Sequence, residues 1–395
     1  MKKSLLIAAI SLFSLGITAQ EETKKEEGFV FTTLKENPIT SIKNQNRSST
    51  CWSFSSLGFL ESELLRKGKG TFDFSEMFIV HHTMSDRAEK YVRLHSEGSF
   101  GPGGSFEDII YALKNHGLVP QEVMTGLNYG DTLPVHNELD ATMTAYLNAI
   151  AKSDSKKLTT AWKRGFDGIL DAYLGQCPTD FTYKGKKYTP MSFVKELGLN
   201  PDDYVSITSF SHHPYYSKFA LEIPDNWRMA ESYNLPVDEM MQVFDNAVNK
   251  GYTVAWGADV SESGFTRNGI GVVPQEVKTT ELKGSDMARW TGLTKKEKDE
   301  ELTSKPLPEK EISQADRQLA YDNWETTDDH GLLIYGLAKD QNGKEYYMVK
   351  NSWGETGKYK GIWYISKTYA KYKTMNILVH KDALPKEIAK KLGIK

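Results

Sequence analysis

Residues 45–65 read QNRSSTCWSFSSLGFLESELL, and the rest of the chain is read outward from them. The stretch holds Cys51, one of two cysteines in 395 residues. Past Cys51, apolar residues recur every three or four positions: Phe54, Leu57, Phe59 or Leu60, Leu64 and Leu65. That period predicts a helix with one buried face, stopped by Gly68 and Gly70. Cys51 then sits at or beside a helix N-terminus, where the macrodipole and free N–H groups favour a thiolate. Gln45, six residues upstream, offers a side-chain amide as an oxyanion donor. The competing reading is a small buried thiol packing a helix, the commoner fate of a cysteine.

The first nineteen residues have a different texture. Lys2 and Lys3 precede an apolar run from Leu5 to Ile17, and Ala19 is small. This is the pattern of a secretory signal peptide cut before Gln20, and the run is too short to span a bilayer. The remainder, 20–395, is expected to be exported, periplasmic or extracellular, and off the membrane. Formal charge is −3 for the whole chain. Without Lys2 and Lys3 there are 47 basic and 52 acidic residues, a charge of −5. No basic patch points to nucleic acid. A bridge between Cys51 and Cys177 would consume the candidate nucleophile, so both are expected to be free.

In chain order, Asp73–Glu89 reads as a helix capped by Ser75. Residues 98–105 hold four glycines and a proline, a tight loop whose backbone a ligand can approach. Phe106–His116 is a helix ending at Gly117. Leu139–Leu174 reads as one long helix with Trp162 and Phe166 inward, Tyr188–Leu197 as a short one, and Val205–Phe219 as strand. His212-His213 lies on that strand, where neighbours face opposite ways, and no further ligand stands at metal spacing; no metal or other cofactor is expected, there or at His81-His82. Val237–Lys250 is an amphipathic helix and Tyr252–Asp259 a strand. Residues 283–320 are charged and read as solvated helix or loop. Three strands follow, Gly331–Ala338, Glu345–Lys350 and Gly361–Ser366, the first two joined by a turn at Asn342-Gly343. Early helices and late strands predict an α+β protein in two layers.

Those late strands carry the remaining chemistry. His330 enters the first and Asn351 leaves the second. Pairing across Asn342-Gly343 brings both to one end of a hairpin. A thiol, an imidazole base and an amide that orients the imidazole make a nucleophilic triad. Trp353 can roof the His330–Asn351 hydrogen bond and keep water from it.

KNQNRSSTCWSF (43–54) resembles the nucleophile segment of papain-like cysteine peptidases, and KNSWGETGKYKGIWYIS (350–366) their Asn segment. Gly103-Gly104 resembles the glycine pair whose backbone binds the substrate chain. The stretches 204–219 and 235–265 resemble the bleomycin hydrolase and bacterial aminopeptidase C branch. The resemblance runs from about Phe29 to Pro385. It implies a two-lobed papain-like fold, helical on the left and β-rich on the right. It also implies a large helical insertion at about 126–235 and a charged one at about 275–320. It assigns Cys51 as nucleophile, His330 as base, Asn351 as orienting amide and Gln45 with the Cys51 N–H as oxyanion hole. Trp52 and Trp353 support the site. Ser48 stands where many papain relatives have a disulfide cysteine, the branch's basic DNA-binding character is missing, and an export signal is atypical.

The implied activity is peptide hydrolysis, most simply by an aminopeptidase, without a cofactor. The competing classes are an inactive peptide-binding homologue and an acyltransferase with the same triad. With cleavage after Ala19, only 31 residues (20–50) precede Cys51. The branch restrains such a site by a homo-hexameric ring and a C-terminal arm in the cleft. Here Pro385–Leu392 reads as a short helix with Lys390 and Lys391 near its end. A helical tail has short reach, so the expected restriction to free amino termini is relaxed, with endopeptidase action as the alternative.

Overall fold

The computed structural model describes residues 28–154, 157–277, 280 and 282–395. The signal peptide expected at 1–19 lies outside them. Strand β1 (Phe31–Glu36) leads to helix α1 (Cys51–Arg66), α2 (Glu76–Arg93) and α3 (Phe106–Asn115). Next come α4 (Asn137–Ala151), α5 (Ala161–Leu174), a hairpin of β2 (Phe181–Tyr183) and β3 (Lys186–Tyr188), and α6 (Pro190–Leu197). The chain then forms β4 (Tyr204–Thr208), β5 (Lys218–Ala220), β6 (Glu231–Asn234), α7 (Val237–Asn249), β7 (Val254–Ala258) and β8 (Ile270–Gly271). The charged stretch carries α8 (Gly284–Gly292), α9 (Lys295–Thr303) and α10 (Gln314–Asp322). Last come β9 (His330–Asp340), β10 (Glu345–Lys350), β11 (Ile362–Ser366), α11 (Lys367–Lys373), β12 (Thr374–His380) and α12 (Lys386–Lys391).

Strand β9 is the spine of the main sheet, whose order is β5-β6-β4-β12-β7-β9-β10-β11-β8, with β1 also on β9. Its first half pairs with β7 (Ala258 opposite His330) and its second half with β1, both antiparallel. Strand β10 covers its other edge, with Lys350 opposite Leu333. The Asn342-Gly343 turn closes that pair, Gly343 taking a φ of +84° that costs glycine little.

Two cores flank this sheet. One packs Leu57, Leu60 and Leu64 of α1 with Phe78, Ile109, Phe166 and Leu170 of the other early helices. The other packs Val243 and Phe244 of α7 with Trp256, Ile334, Tyr347 and Ile377 of the strands. The α+β two-lobed expectation therefore holds. Helix α12 joins the second core through Ile388 and Leu392, and Lys391 pairs with Glu239 at 2.6 Å.

Several local expectations are corrected. The single helix over 139–174 is two, because the polar run after Ala151 breaks it while the apolar period resumes in α5. Phe166 is buried as expected, and Trp162 only partly. The insertion is helical only to Leu197; β4, β5 and β6 extend the main sheet. The expected strand 205–219 stops at Thr208, since Asn234 draws the chain into a turn by bonding Phe210 and His213. Strand β12, central in the sheet, was not expected at all.

Helix α1 is buried on almost every face, not on one. It lies between the lobes, with Gly58 against Leu333 and Lys350 of the sheet. Its polar residues are consequently paired inside. Glu61 accepts from Thr40 Oγ1 (2.5 Å), the Phe74 N–H (3.0 Å) and Lys43 Nζ (3.3 Å), and Lys43 also reaches Glu76 at 2.6 Å. Removing one partner from such a buried ionic group costs about 3–5 kcal/mol, because the other charge is stranded. This network fixes the loop before Cys51 to the body of the helix it enters.

Candidate active site

Cys51 is the first residue of α1, behind Thr50, whose side chain makes no cap bond to the helix. The first-turn N–H groups are thus free of a side-chain acceptor. The start of β9 lies directly on this turn: a Cβ on Gly331 would meet Ser55 Oγ at 2.6 Å and the Trp52 Cα at 3.3 Å. Only glycine lets the strand come this close, and the Gly331 N–H points at the Cys51 thiol.

His330 and Asn351 meet as their strands predict. His330 Nε2 lies 2.8 Å from Asn351 Oδ1. That oxygen also accepts the Ser352 N–H at 2.7 Å, which fixes it as oxygen and not nitrogen. Nε2 must then be the protonated nitrogen, leaving the Nδ1 lone pair to accept a proton. Trp353 stacks on the imidazole, centroids 4.8 Å apart and planes 27° apart. Phe265 and Trp363 hold Trp353 in turn. His330 and Asn351 are both buried.

Gln45 reaches the same place. Its N–H donates to the Ser352 carbonyl at 2.8 Å, and its Oε1 accepts from Ser352 Oγ at 2.6 Å. The Nε2 donors are left without a partner among the described residues. Ser352, which sequence reasoning passed over, is therefore the residue that aims the Gln45 amide.

Gly103 and Gly104 line the opposite wall. Trp52 Nε1 donates to the Pro102 carbonyl at 3.1 Å, tying the loop to α1. A Cβ on Gly104 would strike the Trp52 ring and Asp108. Arg87 of α2, also missed in the sequence, donates to the carbonyls of Ser99 (3.1 Å) and Gly101 (3.0 Å) and to Gly103. Its only signal was an arginine on the buried face of an amphipathic helix.

The electrostatics depart from the thiolate expectation. Burial pushes the Cys51 thiol up to about 12, and Asp328 and Asp225 add to the rise while the Gly331 and Trp52 N–H groups oppose it. Burial also pulls His330 down to about 4, against its bond to Asn351. Burial thus weighs toward the neutral forms of both the thiol and the imidazole. Desolvation is the largest influence on the thiol and works against the N–H donors around it. What the arrangement can do is transfer the thiol proton to Nδ1 as the sulfur attacks.

The remaining candidates sort simply. Both cysteines are free, and Cys177 is raised to about 12 by burial, Asp171 and Asp167. His81 meets Asp171 at 2.8 Å, while His82 stacks on His116. His212 and His213 do not face opposite ways, since they lie in the turn after β4. Both share the Glu222 carboxylate, at 3.1 and 2.8 Å.

Comparison with known proteins places two family models on the chain. The model "Papain family cysteine protease" matches residues 30–137, and "Peptidase C1-like family" matches 284–394. The first contains Gln45, Cys51 and the glycine pair, the second His330 and Asn351. Aminopeptidase G of Lactobacillus delbrueckii subsp. lactis is 25% identical over 91% of this chain and 84% of its own length. Aminopeptidase C of Streptococcus thermophilus is 23% identical over 94% and 86%. The crystal structure of pepw from Lactobacillus rhamnosis superposes with a TM-score of 0.67 at 21% identity, over 92% of this chain and 84% of that one, and so shares the fold.

Proposed function

Because the chain belongs to the papain-like cysteine peptidases of the aminopeptidase C branch, we propose that it removes residues from the amino end of peptides by a Cys51–His330–Asn351 mechanism. The observation behind this reading is the His330 Nε2···Asn351 Oδ1 bond of 2.8 Å, at the strand end that packs on the first turn of α1. Substrate lies along the Gly103-Gly104 edge. His330 Nδ1 takes the Cys51 proton as sulfur attacks the carbonyl carbon. The oxyanion receives the Gln45 Nε2 and Cys51 N–H donors, a contribution of about 10²–10³ in rate per donor in comparable sites. The imidazolium then protonates the leaving amine, and water, deprotonated by the same imidazole, releases the acyl group.

Export by the first nineteen residues belongs to the same proposal. So does assembly into a homo-hexamer, which rests on the branch resemblance; light scattering at micromolar concentration is expected to give six times the monomer mass, and a monomer would refute it. The reading as an aminopeptidase is tested with matched peptides bearing free and acetylated amino termini. Stepwise trimming of the free-amine peptides alone is expected, in place of the relaxed restriction that the short helical tail suggested. Equal cleavage of acetylated peptides at internal bonds would replace the aminopeptidase by an endopeptidase.

A further inference from the structure

Two carboxylates in the cleft have no role in the chemistry above. Asp328 stands two residues before His330 and Asp225 arrives from the loop between β5 and β6; both line the cavity with Cys51, Trp52, Gly104 and His330. Both are partly buried, and neither carboxyl makes a hydrogen bond or ion pair among the described residues. The Asp225 loop is firmly held. Asn226 Nδ2 donates to the carbonyls of Leu221 (3.0 Å) and Ala230 (2.9 Å), Trp227 Nε1 to Asp108 (3.1 Å), and Arg228 to Asp86 (2.9 Å). The Asp225 carboxylate occupies the space a Cβ on Gly103 would take. It therefore stands across the end of the glycine edge along which a substrate chain would run.

The surroundings are short of positive charge. Asp225 faces Arg87, Asp108 and Asp328; Asp328 faces Asp225, Asp329 and Glu107. Arg87, the cation that acts on Asp225, is engaged by the loop carbonyls, and Arg228 is engaged by Asp108 and Asp86. Burial, with these neighbours, raises Asp225 to about 6 and Asp328 well above its ordinary value, and an arriving ammonium opposes that rise by favouring the ionised carboxylates. Desolvated, unpartnered carboxylates bind a cation strongly.

We propose that Asp225 and Asp328 grip the α-ammonium of the substrate, so that the cleft measures a peptide from its free amino end. This rests on the peptidase reading and names its specificity group. Beyond the gripped residue Asp225 leaves no path for a longer chain. The same two carboxylates oppose ionisation of Cys51, so a bound ammonium offsets their charge and eases thiolate formation where a correct substrate is present.

The test compares alanyl-coumarylamide with its acetylated form on the whole protein and on Asp225→Asn, Asp328→Asn and the double variant. The free-amine preference in kcat/KM is expected to fall about thirtyfold or more in each single variant and further in the double, in line with truncation of one partner of a buried charge pair. In the unaltered protein that preference should fade as pH drops through about 6, where Asp225 takes up a proton, and the Asp225→Asn variant should lose that dependence. A merely structural loop would not move either ratio. An unchanged ratio in the double variant overturns the proposal, as does preference for an acetylated peptide bearing Lys before the cleaved residue, which would mark a side-chain pocket. Alkylation of Cys51 by free-amine and acetylated phenylalanyl diazomethyl ketone, which like the coumarylamide has one residue before the reacting carbon, reads the same preference without turnover. Preferential labelling by the free-amine form with no hydrolysis would sink the peptidase reading and leave the ammonium grip standing; equal labelling by both forms overturns the grip.

Discussion

Replacing Cys51 by Ser or Ala is expected to lower peptide hydrolysis by about 10⁴–10⁶, because a covalent mechanism without its nucleophile retains only binding and oxyanion stabilisation. The fold should survive. Cys51 is the first residue of α1, not part of its packed stem, and it makes no disulfide. The variant should therefore keep the unfolding midpoint of the unaltered protein within about 1 kcal/mol. Activity of more than a few per cent in a preparation free of other peptidases would remove Cys51 from the mechanism. Cys177 is the internal control: burial, Asp171 and Asp167 raise its thiol as well, and it is absent from the cavity that holds Cys51 and His330, so an active-site thiol reagent should modify Cys51 and spare Cys177.

His330→Ala should be almost as damaging as loss of the thiol. With burial holding the thiol near 12, the sulfur has little nucleophilicity at neutral pH unless a base receives its proton. Asn351→Ala should cost less, about 10²–10³, since Asn351 only fixes which nitrogen of the ring faces the sulfur. That variant also frees the imidazole to rotate, so its loss should be greater in kcat than in KM. Equal losses for His330→Ala and Asn351→Ala would give the amide a direct part in the reaction. Ser352→Ala is a useful companion, as it releases the Gln45 amide without touching the triad.

Much of this site was legible before any coordinates. The helix after Cys51 follows from apolar spacing, which is local information. The meeting of His330 and Asn351 follows from one hairpin with a glycine turn, since register carries position along a strand from one residue to its partner. Ser75 as a cap is equally local, and its hydroxyl accepts the Phe78 N–H at 3.1 Å. Elements failed where nothing local distinguishes the alternatives. Strand β12 reads TMNILVH, a short apolar run that periodicity cannot separate from buried helix. The break between α4 and α5 was hidden because both helices keep the same period.

The sequence by itself determined the α+β class, Cys51 at a helix start and the pairing of His330 with Asn351, because each depends on the order of elements or on spacing within one element or one hairpin; the two lobes were implied by the family resemblance. Only the tertiary structure decided that α1 is wrapped on all sides, that burial pushes the Cys51 thiol upward, and that Ser352 aims Gln45 and Arg87 shapes the glycine loop. Only the fold brings Asp225 and Asp328 together at the nucleophile. Those two residues are 103 positions apart, on loops with no shared pattern. Desolvation and Coulomb energy depend on distance in space, and no periodicity along a chain encodes that distance.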